Sequence, residues 1–160
     1  DHMRTQFLLN ILLSFVWVLL TGSYELVNFA FGFLLSFGIM WLISRSTGDD
    51  RYFTLTFKII GFVFFFFYEL IKANIEVAWD VITPKFHMKP GIVRVPLDAE
   101  TDTEITLLAN LISLTPGSLS LDVSADKKVL YVHAMYISDK EEFIRSIKNG
   151  FEKRLLSILR

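Results

Sequence analysis

The sequence predicts a helical hairpin that crosses a membrane, a long amphipathic helix after it, and a small α+β domain of β-α-β-β-α order. Three observations predict this. Thr5–Tyr24 and Leu26–Ser44 carry no charge, and each is long enough for the ~30 Å hydrocarbon core of a bilayer. Charge is concentrated late: residues 91–160 hold 9 Lys/Arg and 10 Asp/Glu, and residues 1–56 hold 3 and 4. Aromatic residues are concentrated early, with 13 of the 16 Phe before residue 68. One soluble domain would spread both more evenly. The expected organisation is a transmembrane hairpin in 1–56, a third membrane or interfacial helix with a junction in 57–88, and an α/β domain in 89–160.

Composition excludes several classes. A formal net charge of −1 without a basic stripe gives no nucleic-acid footprint. The absence of cysteine excludes disulfides, thiol catalysis and Cys-based metal sites.

Asp1-His2 ahead of Met3 reads as a remnant left by cloning. Thr21-Gly22-Ser23 breaks the two uncharged runs, so they form a hairpin. A secretory signal peptide is disfavoured, because no small-residue cleavage site appears and a second apolar run follows at once. Trp17, Tyr24 and Trp41 lie near the run ends, where aromatic rings favour the interface. Glu25 falls at the hairpin turn and is expected at the membrane surface. Gly32 and Ser36 offer a place for another helix to approach closely.

The stretch Phe57–Pro84 joins the two parts. Ile59–Tyr68 is uncharged and holds five Phe. Glu69, Lys72, Glu76 and Asp80 then follow at spacings of 3, 4 and 4, one stripe on a helix, with Asn74 among them. Lys72 can pair with either glutamate along it. The stripe is either a solvated face or a polar seam against another membrane subunit. Thr83-Pro84 ends the helix, because a residue before proline avoids the α region. Arg4, Arg45, Arg51, Lys58, Lys85, Lys89 and Arg94 flank the apolar segments. With two spans all of them share one side, which is then cytoplasmic. The third helix then lies along the interface or dips in obliquely. If it spans as well, residues 45–56 and the C-terminal domain face opposite sides. The two-span arrangement is preferred, with the C-terminal domain in the cytoplasm.

In that domain, Gly91–Pro96 alternates as a strand. Thr101-x-x-Glu104 is a capping box opening a helix to about Leu114, with an uncharged polar stripe at Thr106, Asn110 and Ser113. Pro116-Gly117 has the order of a type II turn and argues against a membrane span over 105–121. Ser118–Val123 alternates as a strand with one buried face. Val129–Tyr136 is apolar on both faces and is expected at the sheet centre. Ser138-x-x-Glu141 is a second capping box. It opens a helix with Ile144, Ile147, Phe151, Leu155 and Ile158 on one face. The order matches part of a ferredoxin-like fold.

No catalytic constellation is visible, and no cofactor or metal is expected. His133 has no metal-ligand spacing around it and reads as a structural histidine. Asp98, Glu100, Asp102 and Glu104 complement a helix N-terminus. The ionisable groups of the junction are the functional candidates, because charge near a membrane is costly to bury.

Five stretches carry a resemblance: LVNFAFGFLLSF at 26–37, YELIKANIEVAWDVITPK at 68–85, PGIVRVPLD at 90–98, LLANLISLTPGSLSLDV at 107–123 and LYVHAMYI at 130–137. Together the sequence resembles the E subunit of the multisubunit Mrp-type sodium/proton antiporters of bacteria over nearly its whole length. The resemblance implies a non-catalytic accessory subunit in the bacterial cell membrane, with the other Mrp subunits and the lipid bilayer as partners. It would support assembly and help shape a sodium route. The family's Thr-Pro-Gly element falls on Thr115, Pro116 and Gly117. These three, with Glu69, Lys72, Asn74, Glu76 and Asp80, are the candidate coupling or subunit-contact residues. The competing reading is a membrane-anchored sensor or adaptor, which predicts a ligand-shaped cleft in the C-terminal domain.

Overall fold

A computed structural model describes residues 2–48, 50–83 and 88–160. Two compact units are present, Asp1–Phe57 and Lys58–Arg160.

The first unit is built on α1 (His2–Thr21) and α2 (Leu26–Thr47), which pack together as a hairpin. Asn28 fixes the turn. Its side chain accepts from Trp17 Nε1 at 3.0 Å and donates to Thr21 Oγ1 at 2.6 Å and the Ser23 carbonyl at 2.8 Å. The close approach expected at Gly32 is made within the hairpin: a Cβ there would lie 2.7 Å from the Trp17 ring. Both helices turn apolar side chains outward and polar ones inward. Leu8, Leu20, Leu26 and Leu34 are exposed, while Asn10 and Ser14 are fully buried.

The third helix, α3 (Arg51–Ile82), begins six residues before the Phe57 start expected from the sequence. Gly48, left-handed at φ +76°, closes α2 through its N–H to the Ser44 carbonyl. The chain then restarts at once, because Tyr52 and Phe53 are buried in the hairpin unit. The Phe37 ring meets Tyr52, Phe53 and Phe57 edge-on at 5.0–6.0 Å. At the other end α3 stops at Ile82; Pro84 and Lys85 lie outside the described residues. By length and composition α1, α2 and α3 are each able to cross a membrane.

The second unit carries β1 (Gly91–Pro96), α4 (Asp102–Leu114), β2 (Ser118–Val123), β3 (Val129–Ala134), α5 (Lys140–Ser146), a π-helical segment (Ile147–Glu152) and α6 (Lys153–Leu159). The sheet order is β1-β3-β2, antiparallel throughout. The strand expected at the centre is there, and it ends at Ala134. Val93, Val95, Leu130 and Val132 meet Leu108, Ile112, Ile147, Phe151 and Leu155 in one core. The Thr101/Glu104 capping box forms with both of its hydrogen bonds.

Three outcomes add to or correct the sequence reading. First, β2 has the one inward face expected, and it is the serine face: Leu119 and Leu121 are about half exposed. Ser118 Oγ donates to the carbonyls of Ile112 and Thr115, and Ser120 Oγ to that of Ala109. The serines thus add hydrogen bonds to carbonyls near the α4 C-terminus, two of which also accept the Thr115 and Ser118 amides; a leucine face would bring them no donor. Second, α5 is capped by Asp139 rather than Ser138. The Asp139 carboxylate accepts from the amides of Glu141 and Glu142, one of the favoured N-cap geometries. Third, the last helix is not uniform: its middle winds as a π-helix, which buries Phe151 and Glu152 side by side.

Candidate functional site

The site is assembled where the polar stripe of α3 faces the turn after α4. Thr115-Pro116-Gly117-Ser118 forms the type II turn that the sequence predicts. The Ser118 N–H donates to the Thr115 carbonyl at 3.2 Å, and Gly117 takes φ +85°. The Gly117 Cα packs toward the Tyr136 ring, with a built Cβ 3.4 Å from it. This turn, the first residues of α5 and the α3 stripe enclose an open cavity of about 320 Å3.

Six of the eight candidate residues line that cavity: Glu69, Lys72, Glu76, Thr115, Pro116 and Gly117. Two distant stretches of sequence are thus brought together. Asp80 sits one turn further along α3, is 4% exposed and borders an adjacent depression with Glu76, Trp79 and Tyr136. Asn74 stands apart. It is exposed, and its side-chain amide donates to the Leu70 carbonyl of its own helix at 2.7 Å. Among the described residues no ion pair joins Lys72 to Glu69 or Glu76. The pairing expected along the stripe gives way to an open cavity wall.

Electrostatically the cavity is acidic. Glu69, Glu76, Asp139 and Glu142 contribute carboxylates, and among the described lining residues Lys72 is the one cation. The Glu142 and Glu141 amides that Asp139 caps hold its carboxyl below the usual carboxylate range, so it stays ionised. The Tyr136 phenol is pushed up, first by burial and then by the facing Asp80 carboxylate, with Glu76 adding to it. No group of three or more His, Asp or Glu among the described residues is arranged to hold a metal ion. The arrangement can attract a cation or a basic segment.

Sequence reasoning missed Tyr136, Asp139 and Glu142 as cavity residues. Asp139 and Glu142 lie within a capping pattern and Tyr136 at the end of an apolar strand, so spacing alone does not link them to α3. Of the α4 stripe, Thr106 and Asn110 are exposed, and Ser113 Oγ accepts from the Ser120 amide at 3.0 Å. His133 is half-buried on the sheet, paired in register with Ile92 and Leu119.

Comparison with known proteins adds to this geometry. A family model described as "Na+/H+ ion antiporter subunit" matches residues 10–158. The E-type Na(+)/H(+) antiporter subunit of Alkalihalophilus pseudofirmus is 42% identical over 98% of this chain and 99% of its own length. Among solved structures, a chain of the membrane-bound sulfane sulfur reductase, an archaeal respiratory membrane complex, is 28% identical. The match covers 96% of this chain and 98% of that one, with a TM-score of 0.56. A chain of the Mrp complex from Dietzia sp. is 30% identical over 64% of this chain and 96% of its own length, at a TM-score of 0.49.

Proposed function

The chain belongs to the family of Na+/H+ ion antiporter subunits, and we propose that it is a non-catalytic accessory subunit that supports assembly of the complex and helps shape its sodium route. Its partners are the other subunits of an Mrp-type antiporter, and its C-terminal domain faces the cytoplasm, as the basic residues at the ends of the apolar segments direct. We read the domain as a partial ferredoxin-like fold, a reading supported by the β1-β3-β2 antiparallel order.

The observation that carries the proposal is the acidic cavity, which unites the α3 stripe with the Thr-Pro-Gly turn. Its carboxylates favour a basic side chain presented by a partner, and its mouth is open to receive one. Pro116 fixes φ at the turn and so holds the wall that such a segment meets. Pro116→Ala therefore lowers the yield of intact complex and slows sodium-dependent proton flux in membrane vesicles. Wild-type values for both overturn the proposal.

The cavity volume also lies within the ~300–1,000 Å3 range of small-molecule sites, which favours the sensor or adaptor as second reading. Native mass spectrometry of the chain drawn from its own membranes separates the two. Companions at fixed ratio support the antiporter reading, and a stable lone monomer supports the sensor.

A further inference from the structure

We infer that α3, from Lys58 onward, lies along the membrane surface, with its open face in the boundary between headgroups and acyl chains. Length and composition would let this helix cross a bilayer. What flanks it decides otherwise. One side faces its own domain and touches it at points along its length. Lys58 Nζ donates to the Ser157 carbonyl at 3.1 Å. The Phe65 ring meets Phe151 edge-on at 5.3 Å, and the Arg154 guanidinium stacks 4.4 Å from its centroid. Phe66 packs on the domain core, Glu69 and Glu76 wall the cavity, and Asp80 faces Tyr136. From Lys58 to Asp80 the helix rises about 33 Å, at ~1.5 Å per residue. That is the whole thickness of a hydrocarbon core. A domain edge carrying Arg154 and Glu142 cannot enter that core alongside it.

The other side is apolar. Phe64, Tyr68, Ile71, Ile75, Trp79 and Ile82 follow at spacings of 4, 3, 4, 4 and 3, one line along the helix. All six are 58% or more exposed, and none is charged. Here α3 differs from α1 and α2, whose inward polar groups such as Asn10 and Ser14 are buried: it has one wet side and one dry side, the pattern of a helix lying in an interface. Three features favour lipid over a partner protein as occupant of the dry side. The stripe holds Tyr68 and Trp79, whose rings suit headgroup level. Lys72 stands on its flank with a stem long enough to reach phosphate. In the chain it follows directly on two helices able to span.

The inference concerns where α3 sits and is independent of what the cavity binds. The chain has no cysteine, so in a complex whose partner subunits are cysteine-free each variant carries a single thiol, and the complex with the unaltered chain serves as the unlabelled control. Phe64→Cys, Ile71→Cys, Ile75→Cys and Ile82→Cys are spin-labelled in the assembled complex, reconstituted in liposomes. Accessibility to oxygen and to a water-soluble nickel chelate then gives the depth of each label. The expected result is one shallow depth at all four, about 5–10 Å below the headgroups. A depth that changes steadily along the series overturns the inference, since a spanning helix separates Phe64 from Ile82 by about 27 Å. Low accessibility to both reagents also overturns it and assigns the face to a partner protein. Tyr68→Cys and Trp79→Cys, on the same line, repeat the reading if a variant fails to assemble.

Discussion

The hairpin and the C-terminal domain are built with opposite polarity. In the hairpin Leu20, Leu26 and Leu34 point outward, while Asn10 and Ser14 are fully buried. Ser14 Oγ donates to the Asn10 carbonyl at 2.6 Å, and Asn10 Nδ2 reaches Tyr52 Oη at 3.5 Å. In the domain Val95, Leu108 and Val132 are fully buried, and most charges face out. The difference teaches that burial follows the solvent. In hydrocarbon an apolar side chain gains nothing by going inside, so helices associate through small residues and polar contacts. In water the same side chains drive the core together.

The buried charges of the domain obey the same logic by being fully paired. Glu152, 1% exposed, accepts from the amides of Asp98 and Ala99 and from Lys148 Nζ at 2.6–3.0 Å. Glu104 accepts from Arg160 through both carboxylate oxygens at 3.0–3.1 Å.

These contacts give four ways to test the contrast. The largest effect is expected from Glu152→Ala, which leaves the Asp98 and Ala99 amides without their acceptor, while Lys148 keeps Asp98 and the Pro96 carbonyl. It should destabilise the domain by about 2–4 kcal/mol, at roughly 1–3 kcal/mol for each unmet amide. Hydrogen exchange in β3 should rise steeply while exchange in α1 and α2 stays as it was. An equal rise in both would show that the units do not fold separately. Next is Gly32→Val, whose Cβ meets Trp17. It should loosen the hairpin by about 1–3 kcal/mol, seen as a lower melting temperature in detergent with β3 exchange unchanged. Gly117→Ala follows. A methyl at φ +85° should cost about 1–2 kcal/mol, measured by urea titration of tyrosine absorbance.

The smallest effect concerns pH. The Arg160 guanidinium, with the Glu100 and Thr101 amides, holds the Glu104 carboxyl at about 2 against an ordinary 4.5. A depressed carboxyl stabilises the folded state fully above its unfolded value and loses that contribution as pH falls toward its folded value. Domain stability should therefore hold from pH 7 to about 4.5 and decline toward about 2. In Arg160→Met the decline should become shallower, because less of the depression remains. Near-ultraviolet circular dichroism against pH reads both. An unchanged acid profile in Arg160→Met would remove the ion pair from the account.

Much of the domain was legible because its signals are local. A capping box needs residues three apart, as at Thr101 and Glu104, and a type II turn needs Pro-Gly in sequence, as at 116 and 117. Where the outcome turned on distant partners, local reading failed. The alternation in Ser118–Val123 identifies a strand, but which face goes inward depends on carbonyls at the end of α4. The Ser138 cap lost to Asp139 because two amides were better placed for its carboxylate. The early start of α3 came from Tyr52 and Phe53 meeting Phe37 in the helix before.

The sequence by itself determined the two solvents of this chain, since uncharged runs of 19 and 20 residues and a late concentration of charge leave few other arrangements. It also determined the caps and turns, whose hydrogen bonds close within a few residues. Only the tertiary structure decided that Glu69, Lys72 and Glu76 share a cavity with Thr115, Pro116 and Gly117. Contacts across some forty residues depend on how the core of Leu108, Val132 and Phe151 seats the helices on the sheet, and that packing has no signature in residue spacing.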